Sequence, residues 1–237
     1  MGKIKTKKIT FIDLDELDIE ELKPLPSSKV LPEWYKKQSS YITNDGTKKP
    51  NESVGITSST IKKCIPVFDA ITSGYIFLTP CDIYVSNKNG EKYYEWSLID
   101  SVDFHPIEQF NEYPGTSGFV ALPKIRNKWI VRTQKGTSCL FIPPMHRDNI
   151  IEILPGIIDT DSYHNTINFP FKLKDNSFQG LIPRGTPYAQ IIPFTRQDWQ
   201  SSFSTKNKEY YKKWHRKLYT VFFDFYKNNI WFKKTYK

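Results

Sequence analysis

Short apolar runs alternate with turn signals through the middle of the chain, from residue 51 to residue 197. Residues 93–98 follow a period of two, as the side chains of a half-buried strand do. The pair Asn89-Gly90 just before them supplies the positive φ that a type I′ hairpin turn requires. Short strands at such spacing are typical of a sandwich or a barrel. The pattern therefore predicts a mainly β domain over residues 51–197, built as an antiparallel sandwich or barrel.

Two further features of this region predict how its strands are arranged. Gly136 separates the apolar runs 129–133 and 138–142 as the turn of a hairpin would. Downstream, residues 153–194 contain apolar runs that are broken by Pro-Gly, Asp-Asn and Arg-Gly pairs. We expect residues 153–194 to supply consecutive strands of the domain.

Residues 1–50 have a different pattern, which predicts an extended arm. A lysine-rich start precedes an acidic run over residues 13–21, and a segment with three prolines follows. These prolines exclude a long helix. Trp34 and Tyr35 lie within this segment, and a free linker rarely carries such rings. They are therefore candidate interface residues.

Residues 198–237 predict a helical tail. Apolar and aromatic residues recur there at helical spacing, without an intervening Pro or Gly. The stripe consists of Tyr211, Trp214, Leu218, Val221, Phe222 and Phe225. Lysines and Arg216 occupy the other side, so we expect the stripe to pack against the domain or against a neighbouring subunit. Trp214, Phe222 and Trp231 are the candidate interface residues of the tail.

Charge is unevenly distributed along the 237 residues, whose net charge is +9. The tail carries most of the excess, which favours an acidic partner: a protein surface or, through residues 206–237, nucleic acid. No apolar run approaches the roughly 20 residues that cross a bilayer, and no secretory signal is present. These features predict a protein that is neither secreted nor transmembrane. Three cysteines and four histidines without metal-ligand spacing predict no metal site.

Two motifs in the second half of the domain resemble those of the dUTPase and dCTP deaminase (β-clip) superfamily. Residues 156–163, Gly-Ile-Ile-Asp-Thr-Asp-Ser-Tyr, are similar to its G-V-I-D-x-D-Y-x-G segment. Residues 185–191, Gly-Thr-Pro-Tyr-Ala-Gln-Ile, are similar to its later G-D-x-I-A-Q-L segment. The resemblance covers about forty residues closely, and it implies a dUTPase-like sandwich or barrel.

A wider resemblance extends over residues 62–197, to an uncharacterised protein family of bacteria and marine tailed phages. Its pattern includes R-T-P-x-G, then a strand ending in P-P, then G-V-x-x-T-D. The matching segments here are residues 132–136, 141–144 and 156–161. This family implies a phage setting, with the protein in the host cytoplasm or in a virion, and it brings no established activity.

The dUTPase resemblance implies a set of site residues and also shows what is missing from it. It assigns water activation to Asp159 and contact with deoxyribose to Tyr163. Arg147, Asp161 and Gln190 complete the candidate ligand-binding set. The phosphate-binding Arg-Ser-Ser element and the glycine-rich closing arm of the superfamily are absent. Since hydrolysis needs stabilisation of the phosphate charge and exclusion of water, we expect no catalysis and no cofactor.

The sequence therefore supports three hypotheses about function. The first is a non-catalytic structural or interaction protein of a tailed phage, assembled with copies of itself or with other virion proteins. The second is a nucleotide-binding or nucleotide-hydrolysing relative of dUTPase and dCTP deaminase, which would require Mg²⁺. The third, with weaker support, is nucleic-acid binding through the basic aromatic tail.

Overall fold

A computed structural model describes residues 7–14, 22–42, 59–110, 112–116, 119, 121–220 and 225–237. The strands are β1 (Ile9–Asp13), β2 (Leu25–Pro26), β3 (Tyr75–Leu78), β4 (Ile83–Lys88), β5 (Glu91–Trp96), β6 (Val102–Pro106), β7 (Ala121–Thr133), β8 (Thr137–Ile142), β9 (Ile151–Ile153), β10 (Gly156–Ile158), β11 (Thr166–Leu173), β12 (Gly180–Ile182) and β13 (Pro187–Thr195). The α-helices are α1 (Glu33–Lys37), α2 (Ile65–Thr72), α3 (Lys208–Thr220) and α4 (Phe225–Asn229).

Over the described residues, the strands form three antiparallel sheets. The first has the order β1-β7-β11-β9, and β6 also pairs with β7. The second has the order β10-β8-β13-β3-β2, and the third has the order β12-β4-β5. The prediction of a mainly β, antiparallel fold is confirmed. The expected consecutive strands within residues 153–194 are also present, as β10 to β13.

Aromatic rings join the two five-stranded sheets into one core. Phe169 of β11 lies 5.9 Å from Phe77, 5.6 Å from Phe141 and 5.5 Å from Tyr188, measured between ring centroids. The last three rings come from β3, β8 and β13 of the other sheet, and all four are buried. Contacts between such rings add to the stabilisation that their burial provides.

The β4–β5 hairpin forms as the local sequence predicts. Lys88 pairs with Glu91, and the two residues between them, Asn89 and Gly90, have φ values of 54° and 87°. Positive φ at both central positions defines a type I′ turn. Within β5, Tyr94 is buried between exposed neighbours, which confirms the period of two.

The prediction of a hairpin around Gly136 is wrong. Gly136 does turn the chain, with φ at 79°, but β7 and β8 belong to different sheets. β7 pairs with β1, β6 and β11, whereas β8 pairs with β10 and β13. The turn therefore connects the two large sheets instead of closing a hairpin. The reason is that β7 and β8 each pair with strands from distant parts of the chain and not with each other.

The described part of the predicted N-terminal arm lies against its own domain. β1 pairs with β7, and β2 pairs with β3. Tyr35 is buried, and the Trp34 indole donates a hydrogen bond to the carbonyl of His146 at 2.7 Å. Most of the acidic run, residues 15–21, lies outside the described residues.

The end of the tail also returns to the domain. Trp231 donates from its indole nitrogen to both carboxylate oxygens of Asp69 at 3.0 Å and packs on Phe68. Tyr236 packs edge-on against Tyr75, with ring centroids 5.9 Å apart. Within the predicted helical tail the structure has α3 and α4, whereas residues 198–207 and 230–237 are not helical. No helix in the described ranges is both long and apolar enough to cross a membrane.

Candidate functional site

The acidic motif that follows β10 forms an ion-paired cluster with Arg196. Asp161 accepts a hydrogen bond from the backbone N–H of Gly136 at 2.7 Å and another from Nη1 of Arg196 at 2.9 Å. Nη2 of Arg196 contacts the same carboxylate, so the ion pair is bidentate. The Arg196 guanidinium, with the Gly136 N–H, holds the pKa of Asp161 well below its ordinary value. Asp161 therefore ties the end of β13 to the turn between β7 and β8.

Asp159 belongs to the same cluster. Its Oδ1 accepts a hydrogen bond from the Ser138 hydroxyl at 2.6 Å and lies 3.1 Å from Nη1 of Arg196. A carboxylate that activates water must present an oxygen to that water. Here one oxygen of Asp159 is engaged by both Ser138 and Arg196.

Tyr163 and Asp159 line the same open groove, of about 650 Å³, beside the edge strand β10. His105, Ile157 and Asn168 also line it. The Tyr163 hydroxyl donates to the carbonyl of Thr166 at 3.2 Å. This hydrogen bond holds the Tyr163 ring against the segment that follows it. The structure thus places Asp159 and Tyr163 on one groove, whereas Asp161 is engaged with Arg196 and Gly136.

Arg147 and Gln190 lie elsewhere and bind main-chain groups. The buried Gln190 amide accepts from the N–H of Met145 at 2.9 Å and donates to the carbonyls of Ala70 and Ser73 at 2.9 and 2.7 Å. Arg147 donates to the carbonyl of Val30, and burial lowers the pKa of its guanidinium.

The candidate residues therefore form two separate groups within one chain. Gln190 precedes Arg196 by six positions of extended chain, which corresponds to roughly 20 Å at the rise of a β-strand. The sequence did not point to Arg196, although this residue neutralises both aspartates. Its position directly after the strand of the second motif was the available signal.

The helix α3 carries a different kind of surface. Tyr210 and Tyr211 are 57% and 64% exposed, and their ring centroids lie 5.3 Å apart. An open groove of about 660 Å³ at the start of the helix is lined by three lysines with Tyr211 and His215. The lysines are Lys206, Lys208 and Lys212.

The candidate interface residues have different environments. Trp214 is half-buried on α3, and Trp34 is 37% exposed on α1. Tyr35 and Trp231 contact their own domain, as described above. Phe222 lies outside the described residues.

No protein-family model matches the chain, and no curated protein sequence matches it. Over the described residues, no three His, Cys, Asp or Glu side chains are grouped so that they could hold a metal ion.

Proposed function

We propose that this protein is a non-catalytic interaction subunit that docks through α3 onto a neighbouring copy of the same chain in a larger assembly. The observation that carries the proposal is the exposed aromatic and basic surface of α3. Other aromatic residues of the N-terminal and C-terminal segments, such as Tyr35 and Tyr236, pack on the domain. Rings that remain in solvent on a helix are instead available to a partner.

The length of α3 supports the same conclusion. It has 13 residues, and nearly all of its described side chains are exposed. An isolated helix of about this length is marginally stable in water, because nucleation is costly and packing supplies most helical stability. Contact with another subunit would supply the packing that α3 lacks.

Charge complementarity favours a second copy of the chain as the partner. The helix presents lysines that lack a carboxylate partner among the described residues, Lys208 and Lys213 for example. The run 13–21 holds six acidic residues, so each copy carries both a basic helix and an acidic segment. Opposite charges steer two such surfaces together and fix their orientation.

The resemblances described above suggest the kind of assembly. A family found in bacteria and tailed phages supports a component of a phage particle or of its assembly. A dUTPase-like arrangement of the β core is supported by the placement of the two motifs. The first lies on β10 and the second on β13, and both strands flank β8.

Nucleotide hydrolysis with Mg²⁺ has less support from the geometry. Asp159 is paired with Arg196 and Ser138, whereas Arg147 and Gln190 are engaged with main-chain groups of another region. We expect no turnover of dUTP or dCTP in the presence of magnesium. Turnover that disappears in Asp159→Asn would contradict this expectation, because only a water-activating carboxylate should behave in that way.

Binding of single-stranded nucleic acid is the second candidate function of α3. The specific observation is the groove that combines lysine ammonium groups with Tyr211. Lysines contact phosphates and an exposed ring stacks on bases, which is a common mode of single-strand binding.

Light scattering after gel filtration tests the proposal. The wild-type chain should form oligomers that dissociate as salt rises, since opposite charges on exposed surfaces are screened. The double variant Tyr210→Ala, Tyr211→Ala should be monomeric and should still fold, with a melting temperature no longer dependent on protein concentration. The matched control is Tyr84→Ala, Tyr93→Ala, which removes two exposed tyrosines from the β4–β5 hairpin.

Two results would overturn this proposal. One is a wild-type protein that stays monomeric at all concentrations and salt levels. The other is an oligomer that both double variants form equally well. Nucleic-acid binding would be supported instead if a monomeric wild-type protein bound a single-stranded oligonucleotide in a salt-sensitive way and the variant Tyr210→Ala, Tyr211→Ala lost this binding.

A further inference from the structure

The two described ends of the chain meet beside the β core and enclose a second cleft. Its volume is about 530 Å³, within the usual range of small-molecule sites, about 300–1,000 Å³. One side is formed by the start of β1, and the opposite side by residues 232–237. The floor comes from the first residue of β8 and the last residues of β13.

Five lysines line this cleft, and four of them have no carboxylate partner among the described residues. Lys234 is paired with Asp69. The four others are Lys7, Lys8, Lys233 and Lys237. Like charges that line one cleft repel one another, so such a cluster favours the binding of an anion. A main-chain carboxylate on Lys237 would cancel one of these positive charges, and the cleft would still carry an excess of positive charge.

Hydroxyl groups add directional donors and acceptors at the floor. The ammonium of Lys7 donates to Oγ1 of Thr195 at 2.8 Å and lies 3.4 Å from Oγ1 of Thr137. Thr137 is buried, which fixes its hydroxyl at the base of the cleft. Thr133 also lines the floor. A hydroxyl together with an ammonium suits a phosphate oxygen, which accepts strong charge-assisted hydrogen bonds.

Neighbouring acids do not cancel the charge of the cleft. Asp159 and Asp161 lie close to the floor, because Asp161 accepts from Gly136, next to Thr137. Both carboxylates are paired with Arg196, as shown above. The arginine and the two aspartates therefore satisfy one another, and the lysines remain the groups available to a ligand.

We propose that this cleft binds a small anion that carries two or more adjacent phosphate groups. Lysines spread along both walls suit a chain of phosphates better than a single carboxylate. Phe194 and Phe232 are 37% and 50% exposed at the rim and can contact an attached apolar or aromatic group. The cleft is distinct from the groove at Tyr163 and from the α3 surface.

Calorimetry with inorganic tripolyphosphate tests the cleft in the full-length chain. The variant Lys8→Gln, Lys233→Gln should bind about tenfold more weakly, because two charge-assisted contacts are lost. Neither ammonium makes a described hydrogen bond, so the melting temperature should not change. The matched control is Lys208→Gln, Lys213→Gln on α3, which removes the same charge elsewhere and should bind as the wild type does.

A second variant guards against indirect effects. Thr195→Val keeps the charge and the approximate shape of the side chain but removes the hydroxyl beside Lys7, so it should also weaken tripolyphosphate binding. ATP in place of tripolyphosphate shows whether the rim aromatics contribute affinity.

Three outcomes would overturn the inference. Tripolyphosphate and ATP could both fail to bind at millimolar concentration, or the α3 variant could weaken binding as much as the cleft variant does. A single-stranded oligonucleotide could also displace tripolyphosphate at far lower concentration, which would make nucleic acid the ligand. Loss of oligomerisation in the α3 tyrosine variant with intact tripolyphosphate binding would separate this site from the assembly proposal.

Discussion

At the scale of single residues, Arg196 holds together the cluster around Asp159 and Asp161, although the motif did not imply it. It joins two aspartates on the loop after β10 to the end of β13, where its own N–H also donates to the carbonyl of Gly136 at 2.9 Å. Asp159 and Asp161 therefore secure the crossing between the two large sheets.

The low pKa of Asp161 makes stability depend on pH in a defined direction. Its ordinary pKa is 3.8, and contact with Arg196 and with the Gly136 N–H lowers the pKa in the folded chain. A group whose pKa falls on folding stabilises the fold fully above about pH 5, and that contribution is lost as the pH falls further. We expect Asp161→Asn to lower the melting temperature at pH 7 and to flatten its decline below about pH 4.

Circular dichroism melts over a range of acidic pH values would measure this effect. Asp198→Asn is the control, because Asp198 is exposed and makes no described ion pair. An acid decline in Asp161→Asn as steep as that of the wild type would contradict the prediction.

Tyr94 offers a second test at this scale. Its buried hydroxyl has no hydrogen-bond partner among the described residues, and burial raises its pKa to about 12. Tyr94→Phe should stabilise the protein by about 1 kcal/mol, since an unsatisfied buried group is removed. Tyr75→Phe is the matched variant, because the Tyr75 hydroxyl donates to the carbonyl of Lys237 at 3.2 Å. Urea unfolding should show opposite signs for the two changes; a loss of stability in Tyr94→Phe would refute the idea.

At the scale of elements, two glycines show two different reasons why the fold requires glycine. At one position only the positive φ requires it, and at the other a neighbouring strand also leaves no room for a side chain. Gly74 and Gly90 have φ values of 71° and 87°. A Cβ at Gly90 would contact nothing within 4 Å, whereas a Cβ at Gly74 would lie 1.8 Å from the carbonyl oxygen of Ile191. The first glycine satisfies a turn, and the second permits β3 to approach β13.

We therefore expect substitutions at these glycines to differ greatly in cost. Gly90→Ala should lower the free energy of unfolding by about 1–2 kcal/mol, the cost of a left-handed L-residue. Gly74→Ala adds a clash with backbone and should cost more than about 4 kcal/mol or prevent folding. Equal effects in chemical denaturation would show that the close approach at Gly74 is not maintained in solution.

These elements also show what the sequence can predict. The Asn89-Gly90 turn was predictable because its φ requirement acts between adjacent residues. The route of the chain at Gly136 was not, because pairing depends on strands such as β13, about 50 residues away. Likewise, Asp159 was found from its motif, whereas its partner Arg196 is specified only by the fold.

At the scale of the whole molecule, the N-terminal segment is part of the folded unit. β1 forms a five-residue ladder with β7, and Leu22 and Tyr35 are buried. Each buried side chain of this kind contributes about 1.5–3 kcal/mol, against a total stability of about 5–15 kcal/mol. Deleting residues 1–50 should therefore unfold most of the domain rather than only impair assembly.

Thermal melts would measure this effect, and deletion of residues 1–6, which precede β1, is the control. A folded domain that lacks residues 1–50 and melts at the wild-type temperature would show that the segment is dispensable for folding.

The meeting of the two chain ends has a consequence for synthesis on the ribosome. Lys7 contacts Thr195, 188 positions later, and Asp69 contacts Trp231, 162 positions later. Translation is vectorial, so β1 and β2 emerge long before the strands that pair with them. The nascent chain must expose β1 until β7 leaves the exit tunnel, and the contacts of Thr195 and Trp231 form later still. Chaperones that hold unpaired strands during elongation should therefore raise the yield of this protein.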